Sequence, residues 1–288
     1  MADDSSNTSA RDVRIRPGES AGTQGLTRAG VYERRLRGSV ERLLENALDW
    51  EHLPWLHASS FTWITRFVWG GWGWRARVGL PSTQKPQEIL LELLLDRDAQ
   101  QWVSRVLEGP GAGNEIWSRA AGVSERECDV FVEFHLAGVE PERAESYGKA
   151  YERLYARLYD EDEAMMMGRQ AQLDRLRGAK AADPERLVLG TIEEIRACLP
   201  LAFEFGGAPF RLVEWEGELI AHSTVCPHFL GPLDDCGIEA GGIVTCPWHG
   251  CLFDVVTGKS ADQNDFCLHA PPTIELNGSE PVVVAARK

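Results

Sequence analysis

The chain has little positive charge to offer a polyanionic partner. Its 288 residues include 30 Lys and Arg against 44 Asp and Glu, a formal net charge of −14. Nucleic acids and anionic membrane surfaces are bound through basic patches, so this balance argues against both. No apolar run reaches the roughly 18 residues of a membrane-spanning helix. The first residues lack the basic start and apolar stretch of a secretory signal peptide. We therefore expect a cytoplasmic protein.

The cysteines do not form the kind of framework found in secreted proteins. The chain has seven of them, an odd number. They are Cys128, Cys198, Cys226, Cys236, Cys246, Cys251 and Cys267. Such a set argues for reduced thiols rather than a network of structural disulfides.

Two short segments carry the strongest functional signal in the chain. Cys226-Pro-His228 has the pattern C-x-H, and Cys246-Pro-Trp-His249 has the pattern C-x-x-H. Two thiolates and two imidazoles can hold a Rieske [2Fe–2S] cluster, with the thiolates on one iron and the imidazoles on the other. Imidazole ligands raise the reduction potential to roughly −150 to +300 mV, so such a cluster relays single electrons. The same set also suits a structural zinc ion, which stays open as an alternative.

The residues around these ligands resemble the Rieske ferredoxin family. Residues 226–233 and 246–259 are similar to its two cluster loops, and the resemblance covers about 186–288. It implies that the cluster is bound by Cys226, His228, Cys246 and His249. High-potential members carry an extra, disulfide-bonded cysteine in each loop, and those positions here are Gly231 and Trp248. The chain therefore resembles the low-potential branch, which serves oxygenases and ferredoxins.

Local patterns divide the chain into two domains. Residues 1–28 are polar and aperiodic, which predicts a disordered tail. Residues 29–176 form the first domain, with an early helix between Ser39 and Trp55 and a long helix from Pro141 to Leu176. Residues 177–185 read as a linker, and residues 186–288 form the second domain.

Between the two helices, six segments have the alternation and turn signals of antiparallel strands. They span residues 60–69, 72–79, 88–95, 101–107, 115–122 and 128–137. The predicted fold class is α+β: a helix-grip-like antiparallel sheet with a long helix, of the START/Bet v1 type, followed by a small all-β Rieske domain. A helix packed across a sheet leaves room for a ligand pocket.

A second candidate metal site lies at the early helix. Asn46, Asp49, His52 and His57 follow the pattern N-x2-D-x2-H-x4-H. Asp49 and His52 share a helix face, whereas a regular helix would place His52 and His57 about 140° apart. Pro54 lies between the two histidines and disrupts the regular ladder, so a loosened turn can bring both imidazoles together. Two His and one carboxylate make the facial triad of non-haem Fe(II) oxygenases.

This pattern resembles the iron motif of Rieske non-haem iron oxygenases. The resemblance implies that His52 and His57 bind a mononuclear Fe(II), that Asp49 bridges the two metal centres, and that Asn46 supports the iron site. One departure is the domain order, because the catalytic domain usually follows the Rieske domain and here precedes it. The reversal leaves the route of electrons open, within one chain or between chains, and we favour transfer between chains.

The third iron ligand is expected on the long helix, among four consecutive acidic residues. The candidates are Asp160, Glu161, Asp162 and Glu163. At about 100° per residue, Asp162 falls roughly 30° from the centre of the apolar stripe and Glu161 about 70° away. Asp160 and Glu163 should face solvent. We predict Asp162 as the ligand, with Glu161 as the alternative.

The resemblance implies a terminal oxygenase that uses O2 to hydroxylate or oxidatively dealkylate a hydrophobic small molecule. Its expected partners are an NAD(P)H-dependent reductase and a ferredoxin, and its expected assembly is a homo-oligomer, with a trimer favoured. An alternative from another class is a Rieske electron carrier fused to a domain that only binds a hydrophobic ligand. The substrate cannot be read from the sequence.

Overall fold

The computed structural model describes residues 25–178, 186–262 and 264–276, and the backbone of 282–285. The chain divides into two compact units, Met1–Met167 and Gly168–Lys288. The predicted tail lies outside the described residues up to residue 24, and its last two residues, Thr27 and Arg28, instead begin a strand. Most of the predicted linker, 179–185, also lies outside the described residues.

The first unit contains a seven-stranded antiparallel sheet. Its strands are β1 (Thr27–Leu36), β2 (Trp63–Gly70), β3 (Gly73–Leu80), β4 (Gln87–Asp96), β5 (Gln101–Glu108), β6 (Glu115–Ser124) and β7 (Glu127–Leu136). Their order across the sheet is β1-β7-β6-β5-β4-β3-β2, so the first strand pairs with the last. The six predicted strands are confirmed, and β1 was not predicted.

Alternation of side chains explains how this sheet forms. In β7 every second residue is buried, from Cys128 to Leu136, as expected when one face of a strand covers a core. The neighbouring strand β1 lacks that signal because its sequence is rich in charge. Its arginines are paired instead: Arg28 with Glu133 at 2.8 Å and Arg35 with Asp129 at 2.8 Å.

The early helical segment is two helices rather than one. Helix α1 (Val40–Leu48) is capped by Ser39, whose hydroxyl accepts a hydrogen bond from the Arg42 backbone N–H at 3.2 Å. The helix ends at Asp49, and the one-turn helix α2 (Leu53–Leu56) follows. Pro54 lies in the first turn of α2, where a missing N–H costs little. The predicted helix from Ser39 to Trp55 is therefore wrong in its continuity, since the chain turns before the proline.

The long helix α3 (Pro141–Gly178) runs two residues beyond its predicted end. Close packing against the sheet depends on Gly148, because a Cβ there would lie 2.1 Å from the Ala29 carbonyl oxygen. Aromatic residues of α3, including Tyr155 and Tyr159, join the sheet residues in the main hydrophobic core. A sheet with a long helix across it is the predicted helix-grip-like arrangement, so the predicted fold class is confirmed.

Beyond the end of α3, the second unit is a small β domain with one short helix in its described part. Its elements are β8 (Arg186–Gly190), α4 (Ile192–Ala197), β9 (Leu201–Phe205), β10 (Ala208–Trp215), β11 (Glu218–Ser223), β12 (Ile238–Glu239), β13 (Ile243–Thr245), β14 (Leu252–Asp254), β15 (Thr273–Glu275) and β16 (Val282–Ala285). They form three three-stranded sheets, ordered β11-β10-β9, β12-β13-β14 and β15-β16-β8. Across the described ranges, no helix combines the length and apolar character needed to cross a membrane.

Candidate metal centres and an adjoining cavity

Three buried side chains of the first unit converge on one point. His52, His57 and Asp162 each offer a ligand atom, and these atoms all lie within 4.8 Å of one another. The Asp162 Oδ1 atom lies 3.0 Å from His57 Nε2 and 3.6 Å from His52 Nε2. Adjacent donors on one ion, bound at about 2.1 Å, are themselves about 3 Å apart, so the spacing suits a shared metal. The donor chemistry is that of a two-His, one-carboxylate Fe(II) site.

The break after α1 creates this convergence. His52 is the N-cap residue of α2 and His57 is its C-cap residue, so both lie at the ends of a single helical turn. Their rings are 5.0 Å apart between centroids and cross at 77°. A continuous helix would point them about 140° apart, and the short α2 replaces that geometry.

An acidic side chain lies against the other ring nitrogen of each histidine. The Asp49 carboxylate lies 3.4 Å from His52 Nδ1, and the Glu161 carboxylate lies 2.6 Å from His57 Nδ1. Carboxylates in this position fix the tautomer and orientation of a ligand imidazole and make it more basic. Each imidazole is thereby aimed at Asp162 through Nε2.

The Asp162 carboxylate is held in its charged form although it is buried. Burial by itself would raise its pKa, but the hydrogen bond with His57, the charges of both histidines and the hydrogen bond from Asn46 hold the pKa below its ordinary value. The Asn46 side-chain N–H donates to Asp162 Oδ1 at 3.0 Å. Burial lowers the pKa of His57, but its contacts with Asp162 and Glu161 outweigh burial and raise it overall.

The four consecutive acidic residues of α3, Asp160 to Glu163, differ in their environments. Asp162 belongs to the convergent group, and Glu161 lies on the outer nitrogen of His57. Asp160 is exposed, as predicted, with 68% of its side chain accessible. The prediction for Glu163 was wrong, because its side chain is only 7% exposed and its carboxylate contacts Arg34 at 2.5 Å.

The burial of Glu163 was not predicted because its partners, Arg34 and Arg37, lie in segments that no local sequence pattern places near α3. The Arg37 backbone N–H also donates to the Glu163 carboxylate, at 2.7 Å. Burial raises the pKa of Glu163, but the bonds from Arg37 and the charge of Arg34 lower it further than burial raises it. The role of Glu161 beside His57 was missed as well; its position next to Asp162 in the chain was the only signal.

A cavity of about 540 Å³ adjoins the convergent group. His52, His57 and Asp162 are part of its wall. Most of the remaining wall is apolar or aromatic and comes from α1, the sheet and α3. It includes Leu43, Phe61, Trp74, Leu91, Leu93, Trp102, Ile116, Leu154, Tyr155 and Leu158. This size and lining are typical of small-molecule sites.

In the second unit, two loops of matching geometry carry the C-x-H and C-x-x-H motifs. In each, the cysteine N–H donates to a carbonyl five residues ahead: Cys226 to Gly231 and Cys246 to Cys251, both at 2.9 Å. The Cys226 and Cys246 carbonyls each accept from the N–H four residues ahead, at 3.0 and 2.9 Å. The backbones of the two turns therefore match, although the histidine is two residues after the cysteine in the first loop and three residues after it in the second.

The four motif side chains form two pairs, one of thiols and one of imidazoles. Cys226 and Cys246 are fully buried and share a side-chain hydrogen bond. The rings of His228 and His249 lie 4.6 Å apart between centroids and cross at 81°. Two thiols and two imidazoles in this arrangement fit the donor set of a Rieske cluster.

Gly231 keeps space open beside the thiols. A Cβ at this position would lie 2.7 Å from Cys246 Sγ and 3.1 Å from the Trp248 ring. Cys251, which lies in the second cluster loop, shares side-chain hydrogen bonds with Cys226 and His228. The hydrogen bond with Cys226 is the main cause that lowers the pKa of Cys251 to about 5.

Comparison with known proteins identifies the second unit. Residues 185–270 match the family model of the Rieske [2Fe-2S] domain, and this part of the chain is a Rieske domain. Apoptosis-inducing factor 3 of Mus musculus and that of Homo sapiens are each 41% identical to the chain over 59 residues. That match covers 20% of this chain and only 10% of those curated relatives.

Two solved structures each resemble part of the chain. The ferredoxin of carbazole 1,9a-dioxygenase from Nocardioides aromaticivorans IC177 is 24% identical, with 36% of this chain and 100% of that chain covered and a TM-score of 0.31. The Zhui aromatase/cyclase from Streptomyces sp. R1128 is 12% identical, with 53% of this chain and 97% of that chain covered and a TM-score of 0.41.

Replacing Glu161 by Gln tests the role of the carboxylates that lie against the Nδ1 atoms of the two histidines. E161Q should weaken binding of Fe(II) to the first unit by roughly 10- to 100-fold, because His57 loses the anion that orients it and makes it basic. Anaerobic equilibrium dialysis with Fe(II) measures the change. The control is E152Q, on the same helix and outside the convergent group. Unchanged Fe(II) affinity in E161Q would contradict this role.

Proposed function

We propose that the protein is a Rieske-type non-haem iron oxygenase that hydroxylates or oxidatively dealkylates a hydrophobic small molecule. It would use O2 and electrons supplied by a reductase or ferredoxin. The observation that carries the proposal is the combination of a Rieske domain with a buried His52, His57, Asp162 group on an apolar cavity. A domain that only binds a ligand has no need of two imidazoles and a carboxylate converging beneath its pocket.

The proposed ligands divide between two centres. Cys226, His228, Cys246 and His249 would hold the [2Fe–2S] cluster, and His52, His57 and Asp162 would hold Fe(II). When bound, the cluster supplies single electrons, and the Fe(II) site supplies activation of O2. The remaining steps depend on what the side chains around these centres do.

Side chains of the first unit would orient the iron ligands and the substrate. Glu161 holds His57 by its Nδ1 atom, Asp49 lies beside the Nδ1 atom of His52, and Asn46 holds the Asp162 carboxylate. In the proposal Asp49 also links the cluster to the iron site, as a carboxylate beside a ligand imidazole. The apolar wall of the cavity would exclude water and place the substrate against the metal group.

The proposed electron donor is an NAD(P)H-dependent reductase, acting directly or through a ferredoxin. Residues 186–288 contain 14 acidic and 6 basic residues. This charge favours a donor with a basic docking face, since complementary charge speeds encounter.

Replacing Asp162 by Ala tests the proposed reaction. With a chemical reductant, 18O2 and a library of hydrophobic compounds, the wild type should form 18O-labelled hydroxylated products, or dealkylated products, detectable by mass spectrometry. D162A should form them at least about 100-fold more slowly, because one of three iron ligands is missing. Its Rieske absorption and electron paramagnetic resonance spectra should be unchanged.

The matched control is D160A, two residues earlier on α3, where the side chain is 68% exposed and lies outside the convergent group. D160A should keep wild-type turnover. Equal product formation by D162A and wild type would contradict the proposal. A wild type with an intact cluster that forms neither labelled hydroxylated products nor dealkylated products would favour the electron carrier with a binding domain.

The proposed assembly is a homo-oligomer, with a trimer favoured, in which the cluster of one chain serves the iron of a neighbour. Co-expression of D162A with the cluster-ligand variant H249A, each with its own purification tag, tests this. Each variant alone should be inactive, and mixed oligomers should recover a measurable part of the turnover. If turnover stays absent in mixed oligomers whose chains retain their intact centres, electrons do not pass between chains.

A further inference from the structure

We propose that the Tyr151 hydroxyl recognises the substrate by donating a hydrogen bond to an acceptor oxygen at the end remote from the metal group. The inference rests on the proposed function in one respect, that the cavity of the first unit is the substrate site. It narrows the substrate class to extended hydrophobic molecules that carry a carbonyl or similar acceptor far from the carbon that reacts.

The orientation of the Asn114 side-chain amide determines the direction of its hydrogen bond with Tyr151. The Ala137 backbone N–H donates to Asn114 Oδ1 at 2.9 Å. Because a backbone N–H can only donate, the Asn114 oxygen must face Ala137, and its NH2 group must face the other way. That NH2 group donates to the Tyr151 hydroxyl oxygen at 3.1 Å.

The Tyr151 hydroxyl can therefore still donate a hydrogen bond. A phenol oxygen can accept and donate at the same time, and Asn114 uses its accepting side. Across the described ranges, Asn114 is the one hydrogen-bond partner of this hydroxyl. Both residues line the cavity. Burial raises the pKa of Tyr151, so the hydroxyl keeps its proton at neutral pH.

Tyr151 and the metal group lie at separate positions along one face of α3. Eleven residues separate Tyr151 from Asp162, about three full turns plus 20°, so the two side chains share a helix face. The rise of 1.5 Å per residue places their Cα atoms about 16 Å apart along the helix axis. Tyr155 lies on the same face between them and also lines the cavity. A molecule that reaches both positions must be long, and its middle must be apolar.

A donor in an otherwise apolar pocket discriminates strongly. A ligand without an acceptor leaves the hydroxyl buried without a partner for its proton, which disfavours binding of that ligand. A site built to form a hydrogen bond rejects the analogue that lacks the partner more sharply than an apolar pocket rejects a change of size. Tyr151 would thus determine specificity without taking part in the chemistry.

Binding of a matched pair of probes tests the proposal without any turnover. The probes are 2-acetylfluorene and 2-ethylfluorene, which have nearly the same shape and differ in the acceptor oxygen. Equilibrium dialysis should show the wild type binding the ketone about 10-fold more tightly, from a net bond of about 1.4 kcal/mol. Y151F should reduce that preference to within about twofold, while its affinity for 2-ethylfluorene should not fall, because the hydroxyl that this probe leaves unpaired is gone.

Two further variants separate recognition from folding. Y147F removes a hydroxyl from the same helix outside the cavity lining and should keep the preference. N114D retains Tyr151 but replaces the amide NH2 group by a carboxylate oxygen. The Tyr151 hydroxyl would donate its hydrogen bond to that oxygen instead of to the ligand, so the preference for the ketone should be lost in N114D too. A wild type without preference, or a Y151F that keeps it, would overturn the proposal. If the preference for the ketone depends on Tyr151 but the protein oxygenates no compound, the proposed oxygenase function is wrong and the proposed role of Tyr151 in ligand recognition is supported.

Discussion

The first unit depends on a buried carboxylate that must stay charged. Asp162 is only 7% exposed, and an isolated carboxylate at such a depth is strongly unfavourable. Its charge is compensated by two imidazoles and one amide N–H, from His52, His57 and Asn46. These partners are available only because the chain leaves α1 at Asp49 and makes a single turn before His57. The break between α1 and α2 therefore supplies the partners that the Asp162 charge needs, and that charge in turn stabilises the arrangement of the two histidines.

Three consecutive acidic residues fix α3 by contacts in three directions. Glu161 holds His57, Asp162 fills the space between the two histidines, and Glu163 pairs with Arg34 of β1 and with Arg37. Since the contacts point to different elements, neither rotation nor sliding of the helix can satisfy all three in another position. A metal site gains from such restraint, because its ligands are already in place before the ion binds.

Sequence patterns predicted the parts of this protein that local spacing controls. The two cluster loops are short and self-contained, so the C-x-H and C-x-x-H motifs indicated the four side chains that the structure brings together. Strands β2 to β7 were predictable from alternation. Strand β1 was not predictable in this way, because its arginines interrupt the alternation of apolar and polar residues. Their charges are paired with Asp129, Glu133 and Glu163, which lie far away in the sequence. The paired state of Glu163 and the contact of Glu161 with His57 depend on distant segments and escape any local pattern.

The most direct test for the two proposed metal centres is the content of iron and acid-labile sulfide per chain in anaerobically purified protein supplied with Fe(II). The wild type should contain about three irons with two sulfides and D162A about two irons with two sulfides, since only the mononuclear site depends on that carboxylate. A wild type that holds two irons and two sulfides, and takes up no more when Fe(II) is added, would contradict the proposed mononuclear iron site. The converging side chains of the first unit would then have no role as a metal site.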